Sequence, residues 1–378
     1  MINKILSCNF MFDLLIEEFP IVKELEMIEQ NPKYHGEGNV YIHTQNVCQE
    51  IMLLPEFRFL ENDEKCILYL AGFFHDIGKL TCTTIENGEI VSPRHAVRGA
   101  KAFRELFYKE YSHKYEIPYT FRENIARLIK YHGLPLHFED KENPEQYLLK
   151  VSEGINMKLL YLLAKTDLLG RICDDKNSLL NHIEYFKEYC IELGCFDSKI
   201  SYKNPYTRFR YLNSKNTSNI HYTDELFDTS KFEVIIMCGL PLSGKDTFIK
   251  NNLSNLPMIS LDDIREEFKI SPKQGSGKVV MIARERAKEY LRKQVSFVWN
   301  GTNIIEETRK KLCDLFTSYD ARVKFIYTEA PYKELLARNK KRERTIDLKI
   351  LENMIHKIDM IEPYEGFSIE YYIDEHKR

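Results

Sequence analysis

No stretch of this sequence approaches the roughly 18 uninterrupted apolar residues that a membrane-spanning helix needs, so no such span and no membrane partner is expected. Met1–Phe10 has neither a long apolar core nor a small-residue cleavage site, and no signal peptide is expected there. The nine cysteines include no Cys-x-x-Cys pair, which argues against a disulfide framework and a thiolate zinc cage and fits a reducing, cytoplasmic setting. With 13 Pro, 16 Gly and 43% hydrophobic residues, the chain is neither collagen-like nor largely disordered. Neither charge sign dominates: 54 Lys and Arg stand against 57 Asp and Glu. The balance is uneven. Residues 231–378 hold 27 basic against 23 acidic side chains (+4), leaving 27 against 34 (−7) for residues 1–230. No block is a basic tail, so a nucleic-acid contact would be a local groove.

What is present falls into two rhythms. The first is helical. Ile67, Leu68, Ala71 and Phe74 form one stripe, and Ile125, Leu128 and Ile129 form another behind a Thr120/Glu123 capping box, with Gly133 as its stop. Leu159, Leu160 and Leu163 line a helix over 157–169, and a further helix covers 178–193. Asn87-Gly88 is suited to turning a short hairpin within 81–91. The second rhythm starts near residue 231. Short apolar runs at 234–237, 258–261, 295–299 and 323–327, with a last one at 368–373, alternate with helical segments, the pattern of a parallel sheet covered on both faces. The reading is therefore multidomain: an all-α domain over 1–200, a linker or irregular wrapping segment over 201–230, and an α/β domain over 231–378.

In the helical part, His132 continues the Ile125 stripe seven residues on, Asp167 does the same for Leu160, and His75 ends the Ile67 helix. A carboxylate on an apolar stripe needs a partner, and a divalent metal supplies one. His43, His75, Asp76, His95, His132 and Asp167 are the candidate ligands, a set of imidazoles and carboxylates suited to Mn, Fe, Co, Ni or Zn.

In the α/β part, Gly239-Leu240-Pro241-Leu242-Ser243-Gly244-Lys245 follows an apolar run and precedes a helix, the setting of a phosphate-binding loop. Lys245 is placed to reach the β- and γ-phosphates of an NTP. The usual Ser or Thr of the next position is Asp246, followed by Thr247, and either is open as the group that meets Mg²⁺. Asp262 and Arg265, three apart, share a face if a helix begins there.

Two resemblances sharpen this. His75-Asp76-Ile77-Gly78-Lys79 resembles the HD signature of metal-dependent phosphohydrolases. The family pattern H…HD…D implies His43, His75, Asp76 and Asp167 as metal ligands, with His95 and His132 for a second ion, Asp76 catalytic, Lys79 on a phosphoryl oxygen, and Arg98 or Arg171 as a clamp. The segment Asn31–Glu37 resembles the entry of HD domains acting on nucleotides or RNA ends, which makes His35 a candidate substrate contact or an ordinary loop histidine. The second half resembles 5′-OH polynucleotide kinases. That implies Asp262 as general base, Arg265 as acceptor clamp, Arg342 or Arg338 as the lid arginine on the donor's phosphates, and Asn303 and Arg309 against the acceptor strand.

HD first and kinase second is similar to the bacterial HD-Pnk family of bifunctional end-healing enzymes. The likeness implies removal of a 3′-phosphate or 2′,3′-cyclic phosphate by the first domain and phosphorylation of a 5′-OH by the second. It implies ATP or another NTP with Mg²⁺ in the kinase site, and one or two transition-type ions such as Mn²⁺, Ni²⁺ or Co²⁺ in the HD site. The expected partners are RNA or DNA ends and a separate ligase or other end-processing protein; a homodimer is compatible with the sequence. Two alternatives stay open: an HD nucleotidase fused to a small-molecule or nucleoside kinase, and a nucleotide-sensing regulator.

Overall fold

Residues 1–271, 275–343 and 345–374 are described by a computed structural model, and the chain divides into two units, Met1–Ile200 and Ser201–Arg378. The first unit is helical: α1 (Ile2–Ser7), α2 (Phe12–Glu18), α3 (Val40–Leu53), α4 (Asn62–Phe74), α5 (His95–Leu106), α6 (Tyr119–Tyr131), α7 (Leu134–His137), α8 (Pro144–Ser152), α9 (Met157–Leu169) and α10 (Lys176–Glu192). Every residue of α4 from Cys66 to Phe74 is buried. A helix apolar on all sides belongs at the centre of a bundle, and α3, α6 and α9 pack around it. Phe74 meets Phe19, Phe103 and Phe107 edge-on at 5.2–5.5 Å, each contact contributing about 0.5–1.5 kcal/mol beyond its buried area.

A capping box exists, but at Glu61 and Glu64, the start of α4. The expected box at Thr120 and Glu123 does not form. Helix α6 begins at Tyr119 behind Pro118, without a side-chain cap. The Glu123 carboxylate is instead fully buried between Arg104 and Arg122, at 2.9–3.0 Å. Two guanidiniums outbid a local cap for the same oxygens. Asn87 and Gly88 do turn a hairpin, β1 (Thr84–Glu86) on β2 (Glu89–Val91), both residues having positive φ.

The second unit opens with α11 (Pro205–Asn213), inside the segment expected to be irregular. Its Arg208 donates to the carbonyls of Pro363, Gly366 and Phe367 at 3.0–3.1 Å, and Phe209 stacks on Phe367 at 4.0 Å. The segment thus packs within this unit. Strands β3 (Phe232–Cys238), β4 (Met258–Ser260), β5 (Phe297–Asn300), β6 (Ala321–Glu329) and β7 (Ser368–Ile373) alternate with α12 (Lys245–Asn252), α13 (Leu261–Glu267), α14 (Ser276–Arg292), α15 (Glu306–Thr317), α16 (Tyr332–Lys340) and α17 (Leu348–Lys357). They form a wholly parallel sheet in the order β4-β5-β3-β6-β7. Ile235 and Met237 pack with Phe248 and Ile249 of α12 on one face. On the other face Phe297 and Trp299 meet Phe316 of α15. The order reverses beside β3, so the carboxyl end of that strand opens into the crevice where parallel sheets bind ligands. Among the described residues, no helix is long and apolar enough to cross a membrane.

Candidate functional site

The first site gathers at the ends of five helices. His75 and His132 are the residues that follow α4 and α6, His43 lies in α3, His95 opens α5, and Asp167 lies in α9. The turn Ile77–Thr81 after the His75-Asp76 pair lies against α5 so closely that a Cβ on Gly78 would fall 2.1 Å from the His95 carbonyl oxygen. Only glycine allows that approach, and the approach carries His95 to Asp76.

Each imidazole is aimed by its Nδ1. That atom faces the carbonyl oxygens of Gly72 (His75, 2.7 Å), Ser92 (His95, 2.9 Å) and Ile129 (His132, 2.8 Å), and the Glu37 carboxylate (His43, 2.9 Å). The carbonyl oxygens fix the proton on Nδ1 of His75, His95 and His132 and turn their Nε2 inward, while Glu37 lies against His43 as a close charge without an aligned hydrogen bond. His43 Nε2 stands 2.9 Å from Asp167 Oδ1 and 3.3 Å from His75 Nε2, which is 3.2 Å from Asp76 Oδ2. His95 Nε2 stands 3.2 Å from His132 Nε2 and 3.5 Å from Asp76 Oδ1. Two ligand groups result, His43–His75–Asp167 and Asp76–His95–His132, with Asp76 presenting one oxygen to each.

The electrostatics fit a cation at both. Burial pushes His132 down to about 3, with His95 and His75 adding to it, and burial lowers His95 as well. Two neutral rings whose Nδ1 protons are already engaged face each other through bare Nε2 lone pairs, which repel unless a positive ion lies between them. Asp76 Oδ1 is buried with no hydrogen-bond partner. A ligand pair with bonds of about 2.1 Å to one metal places its donor atoms roughly 3.0–3.4 Å apart, and the donors here stand 2.9–3.8 Å apart. Against burial, His75 and Lys79 hold the Asp76 carboxyl well below its ordinary value, and Arg171 and His43 do the same for Asp167. His75 is raised despite its burial because Asp76 and Asp167 face it; its proton is the positive charge the carboxylates attract in the absence of metal.

Other expected residues take different positions. Lys79 is buried, its ammonium held 2.8 Å from Asp76 Oδ2 and donating to Gln30 Oε1 at 2.7 Å. In this arrangement it neutralises a candidate ligand. Arg171 is likewise paired with both oxygens of Asp167 (3.2 and 2.5 Å). Arg98 is exposed and donates to the Thr81 carbonyl. His35 is joined to the cluster through Glu37, 2.9 Å away. Glu37 and Gln30 were missed by sequence reasoning; Glu37 also accepts from the Ile172 amide, tying the entry segment to the turn after α9.

The second site follows β3. Gly239 has φ 140°, and a Cβ there would lie 2.3 Å from the Thr328 carbonyl oxygen, so the loop needs glycine to turn against β6. Ser243 shares a 2.5 Å hydrogen bond with Thr328. Gly244, at φ 102°, leads into α12. The Lys245 ammonium is folded back on the carbonyls of Gly239 and Leu240 (3.1 and 2.7 Å). Burial pulls it down to about 8; Asp246 and Asp262 oppose that, and Arg342 adds to it. Asp262 and Arg342 are exposed, and both are close enough for their charges to act on Lys245. A cleft of about 370 Å³ is lined by 242–247, Arg338, Tyr372 and Asp374. Arg338 donates to the Leu242 carbonyl and pairs with Glu334 and Asp374, which sets a guanidinium at the loop's rim. Asp246 Oδ1 accepts from Asn300 at 2.9 Å, while Thr247 lines the same cleft. Asp262 and Arg265 both fall in α13, capped by Ser260.

Two expected substrate contacts are corrected. Arg309 is 1% exposed and forms a bidentate pair with Glu365 at 2.6 and 2.8 Å, with further donations to Met360 and Asn303 carbonyls. Asn303 is buried and donates to the Met237 carbonyl. Both hold the C-terminal segment and β3 together, and neither is presented to a nucleic-acid strand.

Comparison with known proteins matches these two sites to two families. Residues 40–156 fit the family model of the HD domain, and residues 234–360 fit that of an AAA domain, AAA_33. The chain joins an HD domain to a P-loop kinase-like domain. The L-seryl-tRNA(Sec) kinase of Methanococcus maripaludis is 30% identical over 134 residues, covering 33% of this chain and 52% of that protein. This chain thus spans about half the length of that curated relative. A crystal structure from Chloroflexus aurantiacus, provisionally described as a kinase, is 16% identical with a TM-score of 0.33, covering 38% of this chain and 89% of that one. The HD match spans five of the six ligand residues; Asp167 lies beyond it. The AAA match spans the phosphate loop, Asp262, Arg338 and Arg342.

Proposed function

We propose that this protein heals nucleic-acid ends. The HD domain removes a 3′-phosphate or 2′,3′-cyclic phosphate, and the P-loop domain transfers the γ-phosphoryl group of an NTP to a 5′-hydroxyl. The observation that carries the kinase half is the placement of Asp262: an exposed carboxylate in the first turn of the helix after β4, beyond a phosphate loop whose Lys245 is near enough to feel its charge. A carboxylate so placed accepts the proton of an attacking hydroxyl, and Arg265 on the same short helix holds the acceptor's phosphate. Arg338 and Arg342 offset charge on the transferred group. Mg²⁺ would accompany the NTP.

In the HD domain the six ligand residues would hold one or two divalent ions, which supply Lewis acidity at a phosphoryl oxygen and an acidified water. Glu37 lies against His43, Lys79 and Arg171 keep Asp76 and Asp167 ionised, and His35, within the entry segment, is a hydrogen-bonding group whose burial favours the neutral ring. The test is an RNA strand with 5′-OH and 2′,3′-cyclic phosphate ends, incubated with NTP and Mg²⁺ or Mn²⁺. The expected products carry 5′-phosphate and lose the cyclic phosphate; intact termini at both ends overturn the reading. The name of the Methanococcus relative favours a second acceptor, the hydroxyl of a seryl group carried on tRNA. Seryl-tRNA in place of the 5′-OH strand tests it.

The buried lysine makes the NTP step pH-dependent. Below about pH 8 Lys245 is charged in the free protein; above it the ammonium is increasingly neutral, and bound phosphates pull the proton back. Calorimetry in buffers of different ionisation enthalpy should record proton uptake on NTP binding at about pH 9 and little at about pH 6.5, with affinity falling between them.

A further inference from the structure

In a P-loop kinase the residue after the lysine is ordinarily Ser or Thr, and a carboxylate comes from an Asp on a neighbouring strand; the two together hold Mg²⁺. Here both positions are changed. The residue after Lys245 is Asp246, and the residue that ends β5, the strand paired with β3, is Asn300. The two side chains touch: Asn300 Nδ2 donates to Asp246 Oδ1 at 2.9 Å. Asn300 is 8% exposed at the end of β5, while Asp246 is exposed and lines the cleft.

We propose that the two positions have exchanged parts, so that Asp246 supplies the carboxylate ligand of the ion that accompanies the NTP and Asn300 holds that carboxylate in place. The inference rests on the kinase reading above. In the ordinary arrangement a loop hydroxyl can donate to a strand carboxylate. In this chain a strand amide donates to a loop carboxylate. The hydrogen bond is kept with its direction reversed, and the ion still meets one negative side chain. Two aspartates would instead set like charges within a few ångströms, and two neutral groups would leave the ion short of charge. The bond to Asn300 engages Oδ1 and leaves Oδ2 as the ligand atom. The exchange also answers which of Asp246 and Thr247 serves the ion: of the two, it is Asp246 that is held to the end of β5.

The test uses the full-length protein with a non-hydrolysable ATP analogue, reading by electron paramagnetic resonance the Mn²⁺ bound only when the analogue is present, so that ions held by the HD ligands are subtracted, and analogue affinity separately in EDTA. Asp246→Ser and the shape-conserving Asp246→Asn should each weaken Mn²⁺ binding to the protein–analogue complex by about tenfold or more, and Asn300→Ala by roughly 10-fold, the lower range for loss of an outer-shell partner. Analogue affinity in EDTA should be unchanged or higher, since a negative charge has left the loop. The double variant Asp246→Ser/Asn300→Asp, which restores the ordinary arrangement, should recover Mn²⁺ affinity to within a few-fold of the original. Rescue by the second substitution separates an ion ligand from a residue needed for folding, because added damage cannot restore binding. Wild-type Mn²⁺ affinity in Asp246→Asn, or a double variant no better than Asp246→Ser, overturns the exchange. Failure of the unaltered protein to bind the analogue at all overturns the kinase reading instead.

Discussion

Replacing Asp76 with asparagine should lower release of a 3′-phosphate more than about 100-fold, beyond the 10–100-fold that loss of an outer-shell partner costs, while leaving phosphorylation of a 5′-OH strand within a few-fold. The expectation follows from the position of its two oxygens. Oδ2 faces His75 and Oδ1 faces His95, so one carboxylate serves both ligand groups. Loss of its charge removes the anionic member of the Asp76–His95–His132 group altogether, leaving two neutral rings. The first group keeps Asp167. Metal analysis of purified protein should therefore record the loss of at least one ion in Asp76→Asn. Alanine is the poorer variant. It would leave the Lys79 ammonium, 7% exposed, with Gln30 as its remaining partner in the cluster, and an uncompensated buried charge costs about 3–5 kcal/mol. Asparagine removes the same charge but keeps the volume and an oxygen that accepts from Lys79, so less of its effect comes from lost packing. Kinase activity of the same preparation reports that the second unit is folded. Unchanged phosphate release and metal content in Asp76→Asn would remove Asp76 from the centre.

The contrast between Asp76 and Lys79 illustrates what the sequence makes legible. His75, His132 and Asp167 stand on apolar stripes or directly follow a helix, positions where a polar group must be satisfied inside the fold, so periodicity alone turns these three inward. The alternation of short apolar runs and helices likewise foreshadows the parallel sheet. Charged residues that follow a motif carry no such signal. Lys79 and Arg309 read as cations free to meet phosphate, but Lys79 is held by Asp76 together with Gln30, 49 residues upstream, and Arg309 by Glu365, 56 residues downstream. Nothing local announces a partner at that separation. Glu123 is the same case in reverse: its spacing from Thr120 is right for a local cap, and Arg104, 19 residues away, takes it. Glu37 was in view within the entry segment, yet its role depends on where Nδ1 of His43 points, which only the packing of α3 determines.

At the second site the largest effect should come from Asp262→Asn. We expect kcat for 5′-OH phosphorylation to fall by about 10²–10⁴, the range for loss of a general base, with KM for NTP within a few-fold. Asp262 is exposed in the first turn of α13, where Ser260 accepts from the Asp263 amide and so sets the helix start. It lies near enough to Lys245 for its charge to oppose the effect of burial on that lysine, yet no hydrogen bond to the loop engages it among those described. It is therefore free to face an acceptor and is not part of the loop's own scaffold. Loss of one exposed charge barely alters the phosphate cradle, which is built from loop amides and Lys245, and that is why NTP binding should survive. Asp262→Glu should retain part of the activity, because the basic group remains and only its reach changes. Steady-state kinetics with saturating acceptor separates the cases. A fall in kcat with steady KM assigns Asp262 to proton transfer. A rise in KM for NTP with unchanged kcat would make it a neighbour of Lys245 and nothing more, and the base of this kinase would have to be sought elsewhere in the crevice.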